Sequence, residues 1–202
     1  ASREHDTIWL KNIEQDLPIV KIDSFATHVL QILPHRDIAY WNDDLAIRYC
    51  HLSRPSETFE LIRFSQVPEH MAISEDEKLI AFALSNRELR VWDSDTKSLR
   101  DDLFPHAEKV SSLAFTPSGR SLVTLSVNST LRCWNVQTGQ LTLERKLLPS
   151  DPVVQVGSSS FSPDLRYVAL RPDDQSVHLF RLHTDGLVPS DQRAGGLAPS
   201  AR

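Results

Sequence analysis

The chain aligns with itself without gaps. A shift of 42 residues lays Ile38-Ala39-Tyr40 on Ile80-Ala81-Phe82 and Arg48 on Arg90. A second shift of 42 lays Asn86 on Asn128, Leu89-Arg90 on Leu131-Arg132, and Trp92 on Trp134. A shift of 46 then lays Phe115 on Phe161, Pro117 on Pro163, Arg120 on Arg166, and Trp134 on Phe180. Self-similarity at a near-constant period commits a chain to stacked copies of one supersecondary unit, each covered by its neighbours. The period is too long for ankyrin or tetratricopeptide repeats, and those are helical.

The unit is plainest in residues 110–136, VSSLAFTPSGRSLVTLSVNSTLRCWNV. Three short apolar runs are separated by TPSGR and VNST. Runs of this length, rich in Val, Leu, Phe and Trp and bounded by Pro, Gly, Ser and Asn, are strands. The turns are too short for a crossover helix, so the strands form an antiparallel meander. Residues 28–64 read as HVLQIL, IAYW, LAIRYC and FELIRF, which is four strands. Residues 71–104 read as MAIS, LIAFAL, ELRVWD and LRDDLF. Residues 154–182 hold VQVGSSSF, YVAL and SVHLFRL, with no outer strand after them. Ahead of these, TIWLKNI (7–13) and IVKI (19–22) read as two strands of an incomplete unit.

Alternation along the third strand shows how the units pack. One face carries Ile47 and Tyr49, Leu89 and Val91, Leu131 and Cys133, Val177 and Leu179. The other carries Arg48 and Cys50, Arg90 and Trp92, Arg132 and Trp134, His178 and Phe180. Apolar groups on both faces imply a sheet sandwiched between neighbours. The Arg lays its stem on apolar surface, with the guanidinium in water or over the ring two residues on. One Arg per unit in a chain of net charge −5 is packing, not a nucleic-acid platform.

That mild acidity offers no basic field for nucleic acid or an anionic membrane, and no apolar run is long enough to span a bilayer. Nothing marks the chain for secretion, although it opens on Ala rather than Met. Cys50 and Cys133 lack metal-ligand spacing and read as free, buried thiols of a reducing compartment. Asn128-Ser129-Thr130 spells a glycosylation acceptor but lies in a tight turn, where Asn is favoured for backbone reasons. Asp43-Asp44, Asp101-Asp102 and Asp173-Asp174 likewise read as turn residues rather than calcium ligands or paired catalytic acids. No metal or cofactor is expected.

PHAEKV…FTPSGR…LRCWN, over residues 105–135, resembles a WD repeat, the four-stranded blade of a β-propeller. The resemblance covers residues 7–182 and implies an all-β chain: a partial blade (7–25), three blades (26–64, 65–104 and 105–148) and an incomplete blade (149–182). Residues 183–202 hold three of the six glycines, show no strand periodicity, and read as a disordered tail. The resemblance also implies a buried relay in each blade, from a His before the first strand, a Ser or Thr in the second, an Asp in the next turn, and the Trp. The third copy supplies His106, Thr124 and Trp134, with Asn128 where Asp is usual. The other copies are incomplete: Asn86 and Trp92 with Phe82 for the hydroxyl, Asp174 with Phe180 for Trp, and Asp44 with Cys50 for Trp.

Function follows the resemblance. WD propellers are non-catalytic scaffolds that offer loop-lined faces to partner proteins, in the cytoplasm or the nucleus. The face formed by the loops before the first strand and between the second and third would carry Glu69, His70, Arg87, Glu108, Lys109, Ser129, Asp151 and Gln175. The alternative is a propeller enzyme with acids and histidines meeting at the central channel. The first strands HVLQIL, MAIS, VSSLAF and VQVGSSSF offer that channel almost no ionisable group. Seventeen strands fit an open arc cut from a larger ring better than a closed four-bladed one. Such an arc exposes apolar surface near Ile8–Leu10 and Phe180, and implies missing blades or self-association.

Overall fold

The computed structural model describes residues 6–10, 20–24, 30–33, 38–43, 45–100, 106–148, 155–172 and 176–182. Every helix or strand assigned among them is a strand, seventeen in all. β1 (Asp6–Leu10) pairs with β2 (Val20–Ser24). A four-stranded sheet follows, with β3 (Leu30–Leu33), β4 (Ile38–Asp43), β5 (Ala46–His51) and β6 (Arg54–Arg63) side by side in chain order. The second such sheet holds β7 (Pro68–Ile73), β8 (Leu79–Leu84), β9 (Leu89–Asp93) and β10 (Ser98–Arg100). The third holds β11 (Val110–Phe115), β12 (Ser121–Ser126), β13 (Thr130–Asn135) and β14 (Leu141–Lys146). A three-stranded sheet of β15 (Val156–Phe161), β16 (Tyr167–Pro172) and β17 (His178–Arg181) is last. All pairings are antiparallel between consecutive strands, so each four-stranded sheet is a propeller-type blade. By compactness the chain divides into two units, Ala1–Met71 with Phe82–Asn86, and Ala72–Ala81 with Arg87–Arg202. The expected tail, 183–202, lies outside the described residues.

The self-alignment reappears in the backbone bonds. The N–H groups of Ser74, Thr116 and Ser162 donate to the carbonyls of Leu79, Ser121 and Tyr167 at 2.9, 2.8 and 3.0 Å. Those of Ser94, Val136 and Leu182 donate to Lys78, Arg120 and Arg166 at 2.8, 2.9 and 2.7 Å. Both sets are spaced by the same 42 and 46 residues found in the sequence. The β11–β12 register slips between Val110 and Ser112, and β15–β16 slips at the matching place, between Val156 and Ser158. Boundaries shift where Pro permits. β6 starts at Arg54, inside the expected turn SRPS, because Pro55 on an outermost strand forfeits no ladder bond.

The same turn position is left-handed in three copies: Glu77, Gly119 and Leu165 have φ of 58°, 68° and 54°. Lys97 and Gly139 form a second such pair, at 53° and 70°. Only two of these five are glycine, and an L-residue held there costs about 1–2 kcal/mol. Lys97 is exposed, so Lys97→Gly should raise stability by about 0.5–1 kcal/mol, because glycine returns part of the gain as unfolded-state entropy. Leu165→Gly should instead destabilise, since Leu165 is 1% exposed and part of the core. Urea denaturation of both variants checks the contrast.

In the second unit, the core lies between the sheets of β11–β14 and β15–β17. Val123, Leu125, Leu131 and Cys133 meet Val156, Leu165, Val168 and Leu170 there. All six residues of β12 are buried, as a strand covered on both faces requires. The expectation that the third strand of every copy is covered on both faces fails in the last sheet. Val177 and Leu179 are 71% and 67% exposed. Phe180, expected to be the exposed group, packs against the core. Alternation explains the reversal: Phe180 faces the preceding sheet beside Val168, while Leu179 sits beside Ala169 on the far face. Side chains of Ile8–Leu10 lie outside the described residues.

Candidate functional site

Three of the four expected relay residues meet in the third blade. Thr124 and Arg132 are directly paired across β12 and β13, with Trp134 two residues along. His106 enters from the loop before β11. The His106 Nε2 lies 2.8 Å from Thr124 Oγ1, and the Trp134 indole N–H donates to that oxygen at 3.0 Å. The imidazole and indole rings are 5.5 Å apart. Thr124 is wholly buried and Trp134 2% exposed.

Asn128 is not the fourth member. Its Oδ1 accepts the Ser126 hydroxyl at 2.7 Å and the Thr130 N–H at 3.2 Å, so it closes its own turn. With its oxygen turned onto its own backbone, the short amide makes no hydrogen bond to the imidazole. The corner that a carboxylate would occupy is taken by Arg132, whose Nη1 donates to His106 Nδ1 at 3.1 Å. A guanidinium has no acceptor, so Nδ1 must accept and the neutral ring carries its proton on Nε2. That proton points at Thr124, and both lone pairs of the hydroxyl are filled. A carboxylate would have imposed the other tautomer.

Glu144 holds the Arg132 guanidinium from the far side, Oε2 to Nε at 2.6 Å, in a pair facing each other across β13 and β14. The Arg132 side chain is 13% exposed, which places the guanidinium inside the blade rather than in water or over an aromatic ring as its spacing suggested. The His106 pKa is pushed down to about 4, chiefly by burial and then by the Arg132 charge, with Glu144 acting the other way. The imidazole is therefore neutral at neutral pH and serves as a packed hydrogen-bonding group. The first blade repeats the outer pair, with Arg48 Nη2 and Glu60 Oε2 3.6 Å apart. In the second copy, Phe64 and Phe82 stand where His106 and Thr124 stand in the third. Their rings meet edge-on at 5.2 Å, so aromatic contact replaces the hydrogen bond.

The residues expected at the partner-binding end divide. Arg87 and Lys109 are exposed, His70 and Glu108 half-buried. Arg87 Nη1 donates to the Ala107 carbonyl at 2.9 Å, and the Val127 N–H donates to Lys109 O at 2.8 Å. Ser129 is unsuited to a surface role: it is 1% exposed and its hydroxyl accepts the Leu148 N–H. Asp151 and Gln175 lie outside the described residues. Sequence reasoning missed Arg132 and Glu144 as relay members. The recurrence of Arg48 with Glu60 at the same separation as Arg132 with Glu144 was the available signal. Among the described residues, no group of three His, Cys, Asp or Glu is placed to hold a metal ion. Cys50 and Cys133 are both buried.

Comparison with known proteins agrees with this architecture. The family described as "WD domain, G-beta repeat" matches residues 97–135. The chain is similar to the U3 small nucleolar RNA-associated protein 21 homolog of Schizosaccharomyces pombe, 30% identical over 52% of this chain and 11% of that protein. It is similar to WD repeat and SOCS box-containing protein 1 of Takifugu rubripes, 35% identical over 47% of this chain and 22% of that protein. It also resembles the Periodic tryptophan protein 2 homolog of Neurospora crassa, 29% identical over 62% of this chain and 13% of that protein. The matches thus span between about a tenth and a quarter of these relatives' lengths. The chain thus carries a WD repeat at residues 97–135, shares sequence with WD-repeat proteins, and repeats the same backbone bonds position by position in its other copies.

Proposed function

We propose that this chain is a non-catalytic protein-binding scaffold whose partner meets the loops before the first strand and between the second and third strands of its blades. The WD repeat at residues 97–135 supports a protein-interaction role in general. The observation that carries the finer reading is the bond from Arg87 to the Ala107 carbonyl, reinforced by the Val127–Lys109 bond. Exposed cations stand there on loops already tied together, so a partner need not order them. His70, Asp151 and Gln175 complete the proposed face. The chain works in the cytoplasm or the nucleus. One relative is named for association with U3 small nucleolar RNA. A net charge of −5 gives this chain no basic field of its own, so a place in such an assembly rests on protein contacts. The far face of the last sheet, with Val177 and Leu179, serves a second contact, to further blades or to another copy.

Capture from cell extract tests both faces. The Arg87→Ala, Lys109→Ala double variant, checked for unchanged circular dichroism, should lose partners that the parent retains. Leu179→Ser should keep those partners while scattering less light on size exclusion. Retention of every partner by the double variant would refute the proposed face.

A further inference from the structure

The opposite ends of the second and third blades carry a cleft of about 550 Å³, walled by the turns after β7, β9, β11 and β13. These turns are internally closed. Asp76 accepts the Ser74 hydroxyl at 2.6 Å, and Asp93 and Asn135 each accept two backbone N–H groups of their own turns. Arg100 ties one blade to the next, donating to the carbonyls of Val136 and Gln137 at 2.6 and 2.9 Å. The cleft is thus preformed, and one of its lining residues is out of step with its copies.

Positions 78, 120 and 166 are equivalent under the 42- and 46-residue shifts, and each holds a cation. Lys78 pairs with Asp95 at 2.8 Å and Arg166 with Asp164 at 3.6 Å. In the third copy both acids are gone. Gln137 stands in the place of Asp95, and Ser118 in that of Asp164. The Arg120 guanidinium accordingly makes no hydrogen bond or ion pair with any described residue, although it lines the cleft. The Asn135 amide N–H₂ is open beside it, since its oxygen is occupied by the turn. The lining also carries Asp76, Asp93 and Asp95, with Lys78 and Arg100 among them.

We propose that this cleft is a second protein-docking site in which Arg120 takes the carboxylate of an acidic side chain on a partner segment, with a basic residue of that segment turned toward Asp76 and Asp93. The proposal rests on the scaffold reading but uses the other end of the blades. A planar guanidinium suits a carboxylate through paired N–H donors. The lining balances Asp76, Asp93 and Asp95 against Lys78, Arg100 and Arg120, so the chemistry fits a peptide of mixed charge and offers no net positive field to a nucleic-acid backbone.

The test is nuclear magnetic resonance titration of the 202-residue chain. The probe is a blocked pentapeptide with glutamate and lysine two residues apart. The expected result is a shift of the Arg120 side-chain N–H and the Gly119 and Gln137 amide signals. Replacing the peptide's glutamate with glutamine should weaken binding about tenfold, the loss of one charge-assisted contact. Arg120→Gln should weaken it equally. Gln137→Asp should close the site by giving Arg120 the internal partner that Lys78 has, while leaving the fold intact. Equal binding of both peptides, or binding indifferent to both substitutions, would overturn the proposal, as would stronger shifts of the same signals by oligouridylate. Loss of extract partners on mutating Arg87 and Lys109, with none on mutating Arg120, would refute this site and leave the scaffold reading standing.

Discussion

Trp134→Ala should destabilise the chain by about 3–5 kcal/mol, the usual cost of deleting a buried aromatic side chain. The ring is 2% exposed and lies against His106, so its removal leaves a cavity in the middle of the third blade. It also strips one of two donors from the buried Thr124 hydroxyl. A typical domain is stable by only about 5–15 kcal/mol, so the variant should be close to unfolding at body temperature. Trp134→Phe keeps most of the apolar area and loses the N–H donor, for about 1 kcal/mol from the hydrogen bond itself. Urea melts followed by circular dichroism separate the two. A Trp134→Ala protein as stable as its parent would mean that the ring is not structural.

Acid should remove a comparable amount through His106. Its folded pKa is about 4 against an ordinary 6.5, so the unfolded chain binds the proton more readily. The group's contribution is therefore complete above pH 6.5 and lost as pH falls from 6.5 to 4. Each pH unit in that window removes about 1.4 kcal/mol, and roughly 3 kcal/mol is gone at its lower end. Burial is the main cause, and geometry adds to it: protonation places an N–H on Nδ1 against the Arg132 donor. Asp76, Asp93 and Asp164 have pKa values held below 3.8, mainly by bonds within their own turns, so their share is lost only at more acid pH. His106→Gln can still accept from Arg132 and donate to Thr124, and should flatten the limb between pH 6.5 and 4. A limb unchanged in that variant would assign it to another group.

Strands, turns and repeat were readable from residues 28–182 because each is a local property. Period-two alternation makes strands, and Ser, Asp and Asn side chains close turns on their own backbone. The shifts of 42 and 46 therefore returned as hydrogen bonds at Ser74, Thr116 and Ser162. His106, Thr124 and Trp134 were legible as a group because the resemblance to WD repeats placed them. Asn128 was misplaced in that group because a turn-closing amide and a relay member look alike in sequence. What only the tertiary structure decided were the matters that depend on which atoms face each other across strands and between sheets. Arg132 occupies the imidazole's fourth corner because β13 sets it opposite Thr124 within reach of the loop before β11. Leu179 is exposed and its counterpart Cys133 wholly buried because only Cys133 has another described sheet packed over it. Arg120 has no partner among the described residues because the acids that stand 17 residues after Lys78 and two residues before Arg166 are replaced in the third copy by Gln137 and Ser118, a change that matters only once the turns are folded side by side. Local chemistry is written residue by residue, whereas the partner of a long side chain is chosen by the packing of surfaces distant in the chain.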